Sequence, residues 1–285
     1  MTTRHEAVLA LSDADSRFVD VDGSALHFKR AGSGPTVLLL HGSGSSLHCW
    51  EHVTPPLARA ADMVSVDLPG FGLSAPPDDH DFHIAAFSRR IRLFAAELGL
   101  QDIVLVGNSL GGNIAWNVAL DAPDLIRGLV LINATGFPGK SLPLPMRLAR
   151  HRVGRRVLGL LSNRNGVERN LRGIVGPGSA AVVTPDFVDR VFAMMSIPGN
   201  RDAFIEFCRA DQPDRTEALS AITAPTLVLR SASIDGQHFT SRIPNAVERV
   251  HPDTGHLMPD EDPAWVAAEI AEFLTRLTAD ERSND

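Results

Sequence analysis

A serine bracketed by glycines, Gly107-Asn108-Ser109-Leu110-Gly111-Gly112, follows an apolar run and opens a helical pattern. That order calls for a strand, a sharp turn and a helix, with the hydroxyl thrust out at the strand end. The glycines let the backbone bend tightly and leave room around the serine. The helix behind it presents amide N–H groups and the positive end of its dipole. A serine hydroxyl is a poor nucleophile until a neighbouring imidazole takes its proton. Of eleven histidines, His256 alone lies late in the chain, on a loop at a strand end, preceded by a glycine. Ser109 as nucleophile and His256 as general base are the expected pair.

Asp235 is the acid in the loop directly after the apolar run Thr226 to Arg230. It is the expected third member, holding the imidazole in the right tautomer and stabilising the imidazolium. Asp235-Gly236 is also an ordinary turn dipeptide. His41-Gly42-Ser43-Gly44 ends another apolar run, and a loop there can supply an oxyanion donor. The amides of Ser43 and Leu110 are the expected oxyanion hole. Gly42, Asn108, Arg190 and Leu257 are the remaining candidates for touching substrate. His41 reads as structural, and His48, His52, His80, His83, His151, His238 and His251 as surface or core histidines. No metal and no organic cofactor is called for.

Several elements must position these groups. Residues 17–21 and 25–30 read as a hairpin turning at Asp22-Gly23. Thr36 to Leu40, Met63 to Val66, Ile103 to Val106, Leu129 to Ile132, Pro225 to Arg230 and Val247 to Val250 read as strands. Phe82 to Leu98, Gly111 to Leu120 and Pro263 to Leu277 read as helices. Continuous apolar strands separated by helices indicate a parallel sheet covered on both faces. The alternation stops from Gly136 to about Arg215, so residues 136–215 are expected to form a helical lid inserted into a core of 1–135 and 216–285. The tails, Met1 to Asp15 and Thr278 to Asp285, are expected to be poorly ordered.

The 285 residues are 44% hydrophobic and 21% charged, an ordinary globular mix. No run of eighteen apolar residues is present, so no membrane span is expected, and Met1 to Asp15 lacks the pattern of a signal peptide. Cys49 and Cys208 have no metal-site spacing and are expected to be free, buried thiols. A cytoplasmic protein, monomer or homodimer, is the expectation. A net charge of −7 argues against nucleic acid as a partner. Eight of the 25 arginines nevertheless fall between Arg147 and Arg172, beside a single acid, Glu168. The favoured reading is a solvated helix face; the other is attraction of an acidic substrate or a phosphate-bearing carrier. Apolar members of that stretch (Met146, Leu148, Val153, Val157, Leu158, Leu160, Leu161) would roof a hydrophobic pocket.

These motifs, together with Asp67-Leu68-Pro69-Gly70-Phe71-Gly72-Leu73-Ser74, resemble the α/β-hydrolase superfamily along nearly the whole chain. The resemblance implies a mostly parallel, doubly wound sheet of eight strands with a helical lid over the strand C-termini. It also implies that Asp67 is structural. Relatives that act on epoxides or haloalkanes use an aspartate nucleophile, where this chain has Ser109. Epoxide-opening relatives also use lid tyrosines, and this chain has no tyrosine. The closer likeness is to serine esterases and to carbon–carbon bond hydrolases of diketone acids. A small apolar or acidic carbonyl compound is thus the implied substrate. A cyclase or a non-hydrolytic ligand binder on the same scaffold is the reading from another class. The loop Ser231-Ala232-Ser233-Ile234-Asp235 departs from the family's G-x-x-D pattern, and Asp235 lies twenty-one positions before His256. Some relatives carry the acid at the end of the strand that here ends before Asn133.

Overall fold

A computed structural model describes residues 2–138, 150–151, 163–234 and 238–284, with side chains described as far as residue 279. Eight strands form one sheet: β1 (Arg17–Val21), β2 (Ser24–Gly32), β3 (Thr36–Leu40), β4 (Asp62–Val66), β5 (Ile103–Asn108), β6 (Ile126–Ile132), β7 (Thr226–Ser231) and β8 (Ala246–His251). Their order is β1-β2-β4-β3-β5-β6-β7-β8. The β1–β2 and β2–β4 pairs are antiparallel and all others parallel. The hairpin turns at Asp22 (φ 54°) and Gly23 (φ 73°), both left-handed, as a two-residue loop requires.

The helices are α1 (Arg4–Leu11), α2 (Thr54–Leu57), α3 (Ile84–Glu97), α4 (Leu110–Asp121), α5 (Arg164–Ile174), α6 (Pro185–Ser196), α7 (Asn200–Arg209), α8 (Met258–Glu261) and α9 (Pro263–Asn284). The central strands carry no alternation because both sheet faces are covered. One face packs Leu38, Leu105 and Leu131 with Phe87, Phe94, Ile114 and Trp116; the other packs Val37, Val106 and Ile132 with Trp50, Ile270 and Phe273.

Parallel pairing decides where chemistry gathers. β3, β5, β6, β7 and β8 all run the same way, so the residues following Leu40, Asn108, Ile132, Ser231 and His251 meet at one edge of the sheet. Helices α5, α6 and α7 lie in the segment between β6 and β7.

The N-terminal tail is not loose. Thr3 and Glu6 form a reciprocal capping box that starts α1. Ala7, Val8 and Leu11 pack on Leu73, Met194 and Ile197, and the Arg4 guanidinium donates to the carbonyls of Ser74 and Pro198 and to Asn200 Oδ1. These partners are remote in sequence, which is why composition suggested disorder. At the other end, the final helix continues past Leu277 to Asn284. No helix among the described residues is long and apolar enough to cross a membrane.

Candidate active site

Ser109 stands between β5 and α4 with φ 55° and ψ −112°, a conformation that L-residues avoid. The surroundings hold it there. Its N–H donates to the Ile132 carbonyl at 2.9 Å, and its carbonyl accepts from the amides of Asn113 (3.0 Å) and Thr135 (3.2 Å). The flanking glycines are sterically required. A Cβ on Gly107 would lie 2.2 Å from the Gly111 carbonyl oxygen, and one on Gly111 2.2 Å from that of Leu40. The result is a side chain only 5% exposed whose Oγ sits 2.8 Å from His256 Nε2. The two residues are 147 positions apart.

Leu110 is the first residue of α4, where amides have no intrahelical acceptor. Gly42 packs directly on Ser109, since a Cβ there would be 3.3 Å from Ser109 Cβ and 3.5 Å from Asn108 Nδ2. Ser43 follows it, half-buried, in a turn closed by the Ser45 amide on the Gly42 carbonyl (3.2 Å). Fully buried His41 shapes this turn. Burial pushes its imidazole pKa down. Its Nε2 accepts from the Leu68 amide (2.9 Å), and its Nδ1 therefore donates to the Gly42 carbonyl (2.7 Å). Asp67 is buried too, and its carboxylate takes the amides of Leu47 (2.6 Å) and Leu73 (2.8 Å) and contacts His27 Nδ1 (2.8 Å). Burial alone would raise this carboxyl, but His27, His41 and the Leu73 amide hold it below its ordinary range.

The structure thus brings Ser109, His256, Gly42, Ser43, Asn108 and Leu110 to one place. Among the described residues, Asn108 Oδ1 has no hydrogen-bond partner and is buried there. Asp235 lies outside the described residues. Arg190, in α6, is turned to Glu51 (2.6 Å) and stacks over Phe187. Leu257 packs with Val167, Leu171 and Val188 of the inserted helices. Of the arginine-rich stretch, Arg147, Arg152, Arg155 and Arg156 lie outside the described residues, as do the apolar residues expected to roof the pocket. Arg150 pairs with Asp211, Arg164 with Asp189 and Glu168, and Arg172 with Glu168. Cys49 and Cys208 are free and buried, and burial pushes both thiols up, Cys208 to about 12. Among the described residues, no group of three or more His, Cys, Asp or Glu could hold a metal ion.

Sequence reasoning treated Asn133 only as a neutral residue at a position where some relatives are acidic. In the structure it takes φ 42° after β6, accepts from the Ser231 amide (2.9 Å), and donates to Ser231 Oγ (3.0 Å) and the Gly255 carbonyl (3.0 Å). Ser231 Oγ also donates to the Gly255 carbonyl (2.6 Å). The amide therefore props up the residue before His256. A carboxylate would face the Gly255 carbonyl with a lone pair instead of a proton. Asn133→Asp is expected to cost on the order of 1–3 kcal/mol at pH 8, partly recovered at pH 4 where the acid regains a proton, and to slow any reaction at Ser109. Urea unfolding at the two pH values measures this.

Beside the Gly42–Ser45 turn lies a cavity of about 20 Å³, room for one water. Ser45, Ser46, Cys49, Arg190 and Asp260 line it. Burial pushes the Asp260 carboxyl up to about 7, with Glu261 and Glu51 adding to the rise and Arg190 opposing it. A folded-state pKa above the unfolded value means that the native protein retains a proton the unfolded chain has lost. Stability then falls as pH rises from about 4 to about 7. Asp260→Asn is expected to stabilise the protein by on the order of 2 kcal/mol at pH 8 and to change little near pH 4. Thermal midpoints at both pH values test this, and equal shifts would contradict it.

Residues 35–172 match a family described as having the alpha/beta hydrolase fold. The bifunctional epoxide hydrolase 2 of Sus scrofa is 35% identical over 128 residues, 44% of this chain and 23% of that protein. The chain thus spans less than half the length of that relative. An uncharacterised hydrolase of Bacillus subtilis (strain 168), YugF, is 26% identical over 255 residues, covering 87% of this chain and 92% of its own. Among solved structures, a thermophilic esterase from Thermogutta terrifontis superposes with a TM-score of 0.76 at 27% identity, covering 92% of this chain and 99% of the esterase. By sequence match and by sheet topology alike, the chain has the α/β-hydrolase fold.

Proposed function

We propose that this protein is a serine hydrolase that cleaves a carboxylic ester of a small, largely apolar acid. The observation that carries the reading is the 2.8 Å contact between Ser109 Oγ and His256 Nε2, made at a strained turn at the start of α4. In this mechanism Ser109 Oγ attacks the ester carbonyl while His256 Nε2 takes its proton. The amides of Leu110 and Ser43 receive the oxyanion, each donor worth about 3 kcal/mol in the transition state. His256 returns the proton to the leaving alcohol. It then takes a proton from water, which attacks the acyl-enzyme and frees Ser109. Asp235 is the proposed partner of the imidazole on its other side.

An apolar substrate is favoured over an acidic one because Arg150, Arg164, Arg172 and Arg190 of the inserted segment already face carboxylates. An epoxide is disfavoured because a hydroxyl nucleophile gives an ether that water does not release, and the chain has no tyrosine to protonate the epoxide oxygen. Turnover of p-nitrophenyl esters from acetate to octanoate tests the reading and sizes the acyl pocket by the chain-length optimum. A folded protein that is labelled by a fluorophosphonate yet turns over no ester in the series would overturn the ester assignment.

A further inference from the structure

His256 sits on a loop between β8 and α8, where no sheet ladder or long helix fixes its backbone. A carboxylate does so together with Asn133 and Ser231, which hold the Gly255 carbonyl. Glu261, the last residue of α8, turns back so that Oε2 accepts from the Gly255 amide (2.7 Å) and Oε1 from the Leu257 amide (2.9 Å). These are the residues on either side of His256. The same Oε2 also accepts from the Gly176 amide (2.8 Å), just beyond the end of α5 in the inserted segment. The His256 N–H donates to the Ile174 carbonyl at 2.7 Å. Backbone meets backbone here without side chains between. A Cβ on Gly255 would lie 2.4 Å from the Gly176 nitrogen, and one on Gly176 2.0 Å from the Asp253 carbonyl oxygen.

From this arrangement we infer that Glu261 is a positioning residue for the general base, locking the His256 backbone to the end of α5 and placing a negative charge behind the imidazole. The inference rests on His256 acting as the base. Three amides on one carboxylate are charge-assisted hydrogen bonds, stronger than neutral ones. They go to two segments 79 residues apart in sequence, Gly176 and Gly255, so capping of the short helix α8 explains only the Leu257 bond. Gln at 261 turns one oxygen into a donor that points at amide N–H groups. The loop then loses one anchor and the imidazolium loses a nearby anion.

The test is the rate of Ser109 labelling by a fluorophosphonate from pH 5 to 9 in wild type, Glu261→Gln and Glu261→Asp. Thermal midpoints and the titration of the His256 Cε1 proton by NMR accompany it. Other charged groups near the loop include Asp253, Asp260 and the His251–Asp262 pair, with Asp235 the proposed partner of the imidazole. The Asp260 carboxyl is itself pushed up to about 7, so the imidazole is read directly by NMR. Glu261→Gln is expected to slow labelling about tenfold or more and to lower the His256 midpoint by about half a pH unit. Glu261→Asp keeps the charge but not the reach, so it restores the midpoint while labelling stays several-fold slow. A Gln variant within twofold of wild type in rate, with an unmoved His256 midpoint, overturns the inference. So does a lowered thermal midpoint with the His256 titration unchanged, which would leave Glu261 a fold-supporting residue only. Wild-type protein that takes no phosphonate would refute the serine mechanism instead, and the NMR titration still decides whether Glu261 acts on the imidazole.

Discussion

Alanine in place of Ser109 is expected to leave a folded protein that takes no fluorophosphonate and turns over p-nitrophenyl esters at least about ten-thousand-fold more slowly than wild type. The size follows from what is removed. In the proposed mechanism Oγ is the attacking atom, and it is the hydroxyl that His256 Nε2 contacts at 2.8 Å. Residual turnover from oxyanion donors and binding alone remains. The fold persists because Ser109 is held by its backbone, through Ile132, Asn113 and Thr135, and not by its side chain. A glycine variant sharpens the result. Glycine adopts φ 55°, ψ −112° without the ~1–3 kcal/mol that an L-residue incurs there. Ser109→Gly should therefore be more stable than wild type by about 1 kcal/mol and equally inactive. A chain in which both variants kept their esterase rate would have its nucleophile elsewhere. One in which Ser109→Gly was no more stable would show that the turn is not strained.

Gly111→Ala should be strongly destabilising, at about 3 kcal/mol or more, with loss of soluble protein as an acceptable readout of the same effect. The added Cβ would lie 2.2 Å from the Leu40 carbonyl oxygen and 2.7 Å from that of His41. Both are backbone atoms of β3 and its following turn, so no side chain can swing away. The first turn of α4 would have to lift off the sheet, taking the Leu110 amide with it. Two other glycines serve as controls. Gly99 has φ 64° with nothing within 4 Å of a new Cβ, so its alanine variant bears only the conformational cost, about 1 kcal/mol. Gly173 lies within α5 with open space around it, so alanine there should add about 0.5–1 kcal/mol of stability. Urea midpoints that failed to rank the three variants in this order would contradict the packing described here.

The mutual dependence of strain and function runs through the site. Ser109 is strained, Asn133 has a positive φ, Asn108 carries a buried oxygen unpartnered among the described residues, and the Asp260 carboxyl is pushed up. Such departures cluster where a reaction needs atoms held against their local preferences.

Much of this was legible before any coordinates. The strands showed as unbroken apolar runs because both sheet faces are covered. The serine turn was legible because its demand on the backbone is local: three glycines within six residues admit few other conformations. The pairing of Ser109 with a late histidine followed from strand order, since parallel strands deliver their C-terminal loops to one edge. What only the tertiary structure decided are contacts between residues far apart in sequence. Asn133 grips Gly255 across 122 positions, Glu261 grips Gly176 across 85, Arg190 turns to Glu51 across 139, and Arg4 reaches Asn200 across 196. None of these residues repeats with a helix or strand period, and each reads locally as a turn, cap or surface charge. A polar side chain shows its type in the sequence, but its partner is chosen by packing.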